Sequence, residues 1–430
     1  MKVIIMAGGK GTRIASIQQD VPKPMIKILG KPVLQYQIEN LKQYGLTDII
    51  LVIGHLGHVI QRYFGDGKAF GVNISYFIED QPLGTAGALF KMNLKEDFLL
   101  LFGDVIFDID FNRFIEFHIT HKAWASLIAH PNGHPFDSSL LVTEKLPPLK
   151  EGDLPRDTGK VVSWLTKEDK RVYYQNKVNA GIQILSADLL DFTQKKRIAI
   201  DDNLEKIDLD RDLLKANIKS EKIFAYSTPE YIKDMGTPER FYEVENDIRT
   251  GKVKAKNLSK KQKAIFLDRD GTINKSNGFI TSPDQFELID GVCEAIKMIN
   301  SSGYLAIVIT NQPVIARGEV SFETLRAIHD KMETELGQKG AYVDGIYYCP
   351  HHTDKGFIGE RLAYKCNCNC RKPKPGMLLQ AAKDFNIDLS NSYMIGDSEN
   401  DLQAGRAAGC NTLLVSEEMR LFECIKKIQM

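Results

Sequence analysis

Short apolar runs, each followed by a stretch with helical spacing of apolar residues, set the rhythm of this chain. Residues 3–6, Asp48–Ile53, Asn73–Ile78 and Phe98–Phe102 are runs of the strand type, and residues 33–44 have the spacing of a helix. The same rhythm returns at 264–267, 305–309 and 393–396, with helices predicted over Pro238–Arg249 and Val292–Ser301. Buried strands alternating with helices predict parallel sheets covered on both faces. The expected class is α/β, as two Rossmann-like three-layer αβα domains. Between the two series, the run from Thr250 to Lys263 holds six lysines and no acid. Low apolar content and self-repelling charge predict a solvated connector. The expected boundaries are therefore 1–249, a Lys-rich linker over 250–263, and 264–430. No internal repeat links the halves.

Bulk properties narrow the function classes. The chain has 430 residues, 43% hydrophobic and 26% charged, which suffices for the cores of two or three domains. Its formal net charge is zero, which argues against a nucleic-acid or membrane-surface role driven by bulk charge. No apolar run approaches the ~20 residues of a membrane span. The start, Met1-Lys2-Val3-Ile4-Ile5-Met6-Ala7, enters a glycine loop too soon for a signal peptide. A cytoplasmic location is expected, with small-molecule substrates and neither nucleic acid nor membrane as partner; a homo-oligomer is left open. Of seven cysteines, four fall between Cys349 and Cys370, and in a cytosolic chain such a cluster points to metal rather than disulfides.

Chemistry-bearing residues sit where the strands end. The first strand runs into Ala7-Gly8-Gly9-Lys10-Gly11-Thr12-Arg13. Gly8, Gly9 and Gly11 let backbone N–H groups approach a phosphate chain, and Lys10 and Arg13 add positive charge. The spacing matches neither common nucleotide fingerprint. Val21-Pro22-Lys23-Pro24-Met25 follows, and its prolines present Lys23 from a stiff loop. Asp104 follows a run of five apolar residues and is a natural magnesium ligand, and Asp234 comes late in Lys233-Asp234-Met235-Gly236-Thr237-Pro238.

Residues 7–34 resemble the signature of the sugar-1-phosphate nucleotidylyltransferases. Leu83-Gly84-Thr85-Ala86-Gly87, Gly103-Asp104, Asn179-Ala180-Gly181-Ile182 and Asp234-Met235-Gly236-Thr237-Pro238-Glu239 are similar to further motifs of that family, in the family's order. The resemblance implies attack of a sugar 1-phosphate oxygen on the α-phosphorus of a nucleoside triphosphate, with release of pyrophosphate. It implies that the 8–11 backbone and Arg13 hold the triphosphate, with Lys23 on the reacting phosphates. Asp104 and Asp234 would hold magnesium, Asn179 and Gly181 the sugar hydroxyls, and Gly84 and Thr85 would lie near the base. Ser163-Trp164-Leu165-Thr166-Lys167-Glu168 departs from the family's Glu-Lys-Pro, with Lys167 fitting the lysine that meets the sugar phosphate. The loop His130-Pro131-Asn132-Gly133-His134-Pro135-Phe136-Asp137-Ser138 resembles the branch that handles heptose 1-phosphate; its histidines also have metal-like spacing, against which stands a plain structural loop.

The second half opens on Phe266-Leu267-Asp268-Arg269-Asp270-Gly271-Thr272. Carboxylates two apart at a strand end can address one magnesium and one phosphate, one attacking phosphorus and the other moving a proton. The run 305–309 ends in Thr310-Asn311-Gln312, neutral donors suited to a phosphoryl oxygen. Ala316-Arg317-Gly318 adds a cation, Arg371-Lys372-Pro373-Lys374-Pro375-Gly376 adds phosphate-neutralising charge, and Gly396-Asp397-Ser398-Glu399-Asn400-Asp401 ends another strand in carboxylates. Cys349-Pro350-His351 and Cys368-Asn369-Cys370 pair four soft ligands across a loop, which favours tetrahedral zinc in a structural role. Cys366 and His352 are alternates for that set.

These motifs, in this order, resemble the haloacid dehalogenase superfamily of phosphatases. The resemblance implies Asp268 as nucleophile and Asp270 as proton donor, then base. It implies magnesium on Asp268, the Asp270 backbone and Asp397, with Asp401 in support, and the phosphoryl group on Thr310 and Lys372 beside Asn311, Arg317 and Arg371. Cys349, His351, Cys368, Cys370 and Arg371-Lys372-Pro373, with Ile315-Ala316-Arg317-Gly318, resemble the zinc-bearing heptose 1,7-bisphosphate phosphatases. Pro313-Val314 stands where that family has Ser-Gly. The halves then make joint sense: one would remove the 7-phosphate of D-glycero-D-manno-heptose 1,7-bisphosphate, and the other would couple the heptose 1-phosphate to a nucleotide, GMP from GTP. Two further readings fit the motifs. One is a hexose 1-phosphate nucleotidylyltransferase fused to a histidinol-phosphate or other sugar-phosphate phosphatase. The other is a non-catalytic nucleotide-sugar sensor in the first half, against which Arg13, Lys23, Asp104 and Asp234 speak.

Overall fold

The apolar run Val3-Ile4-Ile5 is fully buried and forms the strand Lys2–Met6 inside the first sheet. In this computed structural model the described residues are 1–9, 21–148, 150, 152–198, 206–276 and 278–428. Lys2–Met6 pairs in parallel with Asp48–Ile53 on one side and Phe98–Phe102 on the other, and Asn73–Ile78 continues the parallel array beyond Asp48–Ile53. The helix Val33–Gln43 turns Leu34, Ile38 and Leu41 onto Val3, Ile5, Ile49, Leu51, Leu99 and Leu101. On the far side of Phe98–Phe102, Val178–Leu185 runs antiparallel, a departure from the parallel array that the apolar runs predict. An apolar run specifies burial but not direction; direction follows from where the connection brings the chain back. A separate antiparallel ribbon pairs Val105–Asp108 with Tyr231–Asp234, with Asp234 opposite Val105.

By its contacts the chain forms two units. The first comprises Met1–Ala129, Gly159–Trp164 and Asn179–Asn257; the second comprises His130–Thr158, Leu165–Val178 and Leu258–Met430. The lysine-rich run is less solvated than its composition predicts. Lys256, Asn257, Leu258 and Gln262 are all buried. In the first unit Asn257 donates to Asp108 and Tyr44. In the second, Asn386 donates to the carbonyls of Leu258 and Lys260, both at 3.0 Å. Side-chain amides at two positions thus pin a run whose charge alone would leave it free.

The second unit is built on a five-stranded parallel sheet in the order Gly345–Cys349, Tyr304–Asn311, Lys263–Leu267, Tyr393–Gly396, Asn411–Leu414. Successive residues of Lys263–Leu267 face opposite ways, as the two-residue period of a strand requires. Ile265 and Leu267 join one core with the helix Val292–Ser301, while Ala264 and Phe266 join another with Gly376–Asp384 and Glu399–Ala408. Both faces are therefore covered, and polar side chains gather at the carboxyl ends of the strands. Segments 130–158 and 165–178 pack with this unit. Tyr174 N donates to Thr334 Oγ1 at 3.0 Å and Asn176 N to Glu333 Oε1 at 3.3 Å, both acceptors lying on the helix Phe322–Gln338. Burial pushes the Glu333 carboxyl up to about 7. Among the described residues no helix is long and apolar enough to cross a membrane.

Candidate active sites and metal centre

Lys263–Leu267 is the central strand of the second sheet, so Asp268 emerges in the middle of its carboxyl edge, with Asp268 N donating to Ile395 O at 2.9 Å. The chain then turns sharply: the N–H groups of Thr272, Ile273 and Asn274 all donate to Arg269 O. Gly271 has φ +80°, and a Cβ there would lie 1.9 Å from Asp397 Oδ2, so only glycine lets the turn lie against that carboxylate. Lys372 reaches in from the opposite side. Its Nζ lies 2.8 Å from Asp268 Oδ1 and 2.6 Å from Asp401 Oδ1, and donates to Ile309 O at 2.8 Å.

This ammonium is buried between two carboxylates. Burial works to lower the Lys372 pKa, but Asp268 and Asp401 outweigh it and hold the amine above its usual value. Burial pushes Asp268 up to about 7, against the pull of Lys372 and with the added charge of Asp401. Burial and Asp401 raise Asp397 as well. The Asp268, Asp397 and Asp401 oxygens lie within 4.8 Å of one another. Three hard oxygen donors crowded around one lysine fit a magnesium ion. Asp401 is also anchored from behind, where its Oδ2 accepts from Ser398 N and Oγ at 3.0 and 2.6 Å.

A pocket opens onto this group, lined by Asp268, Asp270, Phe279, Thr310, Asn311 and Lys372 among others. Asn311 accepts from Lys372 N at 3.0 Å and donates to Lys372 O at 3.1 Å, which clamps the loop that carries the lysine. Arg317 lies between the rings of Phe279 and Phe357, at 4.5 and 4.6 Å, with His352 Nε2 at 3.4 Å. Arg371 donates to His351 O at 3.3 Å. Three residues surround Asp270: Gln312, which the sequence offers as a phosphoryl donor, and Arg269 and Asn274, which sequence reasoning missed. A lone Asn in a loop carries no motif, and the Arg of Asp-Arg-Asp reads as a spacer.

The four soft ligands converge. Cys349 Sγ lies 3.5 Å from Cys368 Sγ and 3.2 Å from Cys370 Sγ, and His351 Nδ1 lies 3.3 Å from Cys370 Sγ. All four are buried, and their ligand atoms lie within 4.8 Å of one another. A tetrahedral cation with metal–sulfur bonds of about 2.3 Å would hold its sulfurs about 3.8 Å apart, close to this spacing. Burial pushes the Cys349 thiol up to about 12, and a cation at the centre of the cluster would offset the cost of its thiolate. Cys366 is buried outside this set, and His352 faces Arg317 and Asp354 instead.

In the first unit, the antiparallel ribbon brings Asp104 to Asp234, since Met235 N donates to Asp104 O at 3.0 Å. Lys23 Nζ pairs with Asp104 Oδ2. Burial works to raise Asp234, but Arg240, Gly236 N and Lys23 outweigh it and hold the carboxyl below its usual range. Two adjacent carboxylates with a lysine beside them are a donor set that suits magnesium with phosphate. Gly8 lies at the end of Lys2–Met6 beside Glu79, and among the described residues nothing lies within 4 Å of a Cβ built at Gly9. Gly11 and Arg13 lie outside the described residues.

The segment 207–210 links the motif loop to Asn179. Gly84 has φ +83°, and a Cβ there would lie 2.5 Å from Ile207 O. Thr85 Oγ1 accepts from Leu209 N at 2.7 Å and donates to Asp208 Oδ2 at 3.4 Å, while Asn179 Nδ2 donates to Asp210 Oδ1 at 3.5 Å. Asn179 Oδ1 accepts from Gly181 N at 3.4 Å. Burial pushes Asp210 up to about 6, aided by Asp208. The paired aspartates of Asp208-Leu209-Asp210 were the available signal for this segment. Lys167 lies in the second unit, largely exposed, 3.9 Å from Glu168. The His130–Ser138 loop closes on itself through His134 Nδ1 and Asp137 Oδ1 at 2.9 Å.

The nucleotidyl transferase family model matches residues 2–251, and the HAD-hydrolase-like model matches residues 369–420. A D-glycero-β-D-manno-heptose-1,7-bisphosphate 7-phosphatase from Pasteurella multocida is 47% identical over 168 residues, which is 39% of this chain and 88% of that protein. The protein of the same name from Escherichia coli is 46% identical over 158 residues, 36% of this chain and 79% of its own length. A solved structure described as a glucose-1-phosphate thymidylyltransferase from Bacillus anthracis, in complex with sucrose, aligns at a TM-score of 0.50 and 19% identity, covering 58% of this chain and 95% of that one. That likeness supports the fold of the first half.

Proposed function

The chain belongs to the nucleotidyl transferase family over its first part and to the family of these heptose bisphosphate phosphatases over its second, and from that membership we propose how its residues divide the chemistry. It is a bifunctional enzyme, a nucleotidyltransferase and a phosphomonoesterase. The phosphatase takes D-glycero-β-D-manno-heptose 1,7-bisphosphate and releases its 7-phosphate. The transferase then joins the heptose 1-phosphate to GMP from GTP and releases pyrophosphate.

The observation that carries this reading is Lys372 Nζ seated between Asp268 and Asp401 at 2.8 and 2.6 Å, in a second half 47% identical to a heptose bisphosphate phosphatase. Asp268 Oδ1 attacks phosphorus, and the bond from phosphorus to the sugar oxygen breaks. Asp270 gives that oxygen its proton. A water then attacks the aspartyl phosphate, its proton passes to Asp270, and Asp268 is freed with phosphate. Thr310 and Lys372 hold the phosphoryl oxygens. Asp268 and Asp397 would hold magnesium, which when bound neutralises the transferring group. Cys349, His351, Cys368 and Cys370 would hold a structural zinc.

In the transferase no protein nucleophile is needed. Backbone N–H groups of Gly8, Gly9 and Gly11 with Arg13 cradle the triphosphate, and Lys23 meets the reacting phosphates. Asp104 and Asp234 would hold a second magnesium. Asn179 and Gly181 meet sugar hydroxyls, and Gly84 and Thr85 the base. We assign the enzyme to the cytoplasm. The test is to incubate heptose 1,7-bisphosphate separately with GTP, ATP, CTP and UTP. Pyrophosphate is expected with GTP alone. Faster phosphate release from histidinol phosphate than from the bisphosphate would overturn the phosphatase assignment, and absence of pyrophosphate with every triphosphate would overturn the transferase.

A further inference from the structure

Asp270 is more tightly held than a carboxylate at a pocket wall needs to be. Its Oδ1 accepts from Arg269 Nε at 3.1 Å, Arg269 Nη2 at 2.9 Å and Asn274 Nδ2 at 3.0 Å. Its Oδ2 accepts from Arg269 Nη2 and Gln312 Nε2, both at 2.9 Å. The Arg269 side chain is 0% exposed, against 25% for Asp270. Its Nη1 finds no hydrogen-bond partner among the described residues. Burying a guanidinium that leaves one nitrogen unsatisfied costs stability, and a buried ion pair seldom recovers that cost relative to apolar packing. Gln312 also donates to Thr310 Oγ1 at 2.9 Å, so one amide ties Asp270 to a phosphoryl-binding hydroxyl.

We infer that Arg269 is a positioning residue for proton transfer: its buried guanidinium, with Gln312 on the other oxygen, fixes the direction in which the Asp270 carboxyl meets the leaving oxygen. This rests on the phosphatase reading of the site. In the first half-reaction the sugar oxygen leaves phosphorus with the bonding electron pair and takes a proton from Asp270. A carboxyl free to swing would meet that oxygen less often, and the phosphoryl transfer to Asp268 would slow. A leaving group that departs as a stable anion needs no such proton. The effect of Arg269 therefore depends on the leaving group, whereas a purely structural residue would affect all substrates alike.

The experiment measures kcat/KM, which covers the steps up to loss of the leaving group, for heptose 1,7-bisphosphate and for 4-nitrophenyl phosphate, in the full-length protein. Arg269→Lys keeps a cation but loses the planar fork. Its kcat/KM for the bisphosphate is expected to fall ~10–10²-fold, part of the 10²–10⁴-fold that acid–base catalysis supplies. With 4-nitrophenyl phosphate it is expected to stay within about threefold. Thermal melting checks folding, and if Arg269→Lys does not fold, Gln312→Leu takes its place in the same comparison. Equal loss on both substrates, or loss on neither, overturns the inference. Asp270→Asn separates the two levels. If it leaves turnover of the bisphosphate unchanged, the phosphatase reading of Asp270 fails; if it abolishes turnover while Arg269→Lys slows both substrates equally, only the role of Arg269 fails.

Discussion

In the mechanisms proposed for them, the two reaction centres differ in who owns the nucleophile, and their burial fits that difference. In the phosphatase the attacking atom belongs to the protein. Asp268 must be held next to the phosphoryl group before substrate arrives, and its charge needs a fixed partner. The Lys372 side chain is accordingly 2% exposed and that of Asp268 13%. In the transferase the attacking oxygen belongs to the sugar phosphate. The protein supplies charge and position, and the corresponding pair is more open, with Lys23 at 14% and Asp104 at 30%. As a pair, Lys372 and Asp268 are built in more deeply than Lys23 and Asp104, which are open enough to exchange partners as phosphates bind.

The largest effect that could break this contrast is the loss of the nucleophile. Asp268→Asn should lower phosphate release from heptose 1,7-bisphosphate by roughly 10⁴-fold or more, while transfer from added heptose 1-phosphate continues at the normal rate. Parallel loss of both activities would mean that the centres are not separable. Next comes the buried cation. Lys372→Met leaves Asp268 and Asp401 facing each other without a counter-charge, and should cost about 3–5 kcal/mol of stability in urea unfolding as well as phosphatase activity. The more exposed Lys23→Met should leave unfolding nearly unchanged, because a partly solvated pair contributes little.

A smaller effect is expected on the transfer side. Asp104→Asn should slow pyrophosphate release ~10²–10³-fold, the range for removing one preorganised electrostatic contact, with phosphate release intact. The smallest effect on chemistry concerns the cysteine cluster. A chelator selective for soft metals should release about one zinc per chain and lower the melting temperature. Added zinc, but not added magnesium, should restore it. Transfer from heptose 1-phosphate should change least of all the activities.

What was legible in the sequence was what strands carry. Asp268, Thr310 and Asp397 each end an apolar run, and a parallel sheet brings the ends of such runs together. Cys349, His351, Cys368 and Cys370 were legible because four soft ligands in a short span have few other uses. Direction was not legible: Val178–Leu185, which carries the Asn179-Ala180-Gly181-Ile182 motif, pairs antiparallel with Phe98–Phe102 where the apolar runs predict a parallel array. Partners were not legible either. The spacing of residues 165–178 says nothing of Thr334 and Glu333, which lie more than a hundred positions away and receive the N–H groups of Tyr174 and Asn176. That Arg269 and Gln312 meet on Asp270 was not legible, because the carboxylate they share is a three-dimensional fact. The lysine-rich run is a related case: its charge predicts solvation, while the amides of Asn257 and Asn386 pin its middle.

The central claim is that two successive reactions, phosphate removal and then nucleotidyl transfer, run on one chain. The most direct test follows phosphate and pyrophosphate together in time after mixing the enzyme with heptose 1,7-bisphosphate and GTP. Phosphate is expected to appear first, pyrophosphate to follow after a lag, and added heptose 1-phosphate to remove the lag. Pyrophosphate released from the bisphosphate before any phosphate, or released undiminished by Asp268→Asn, would contradict it.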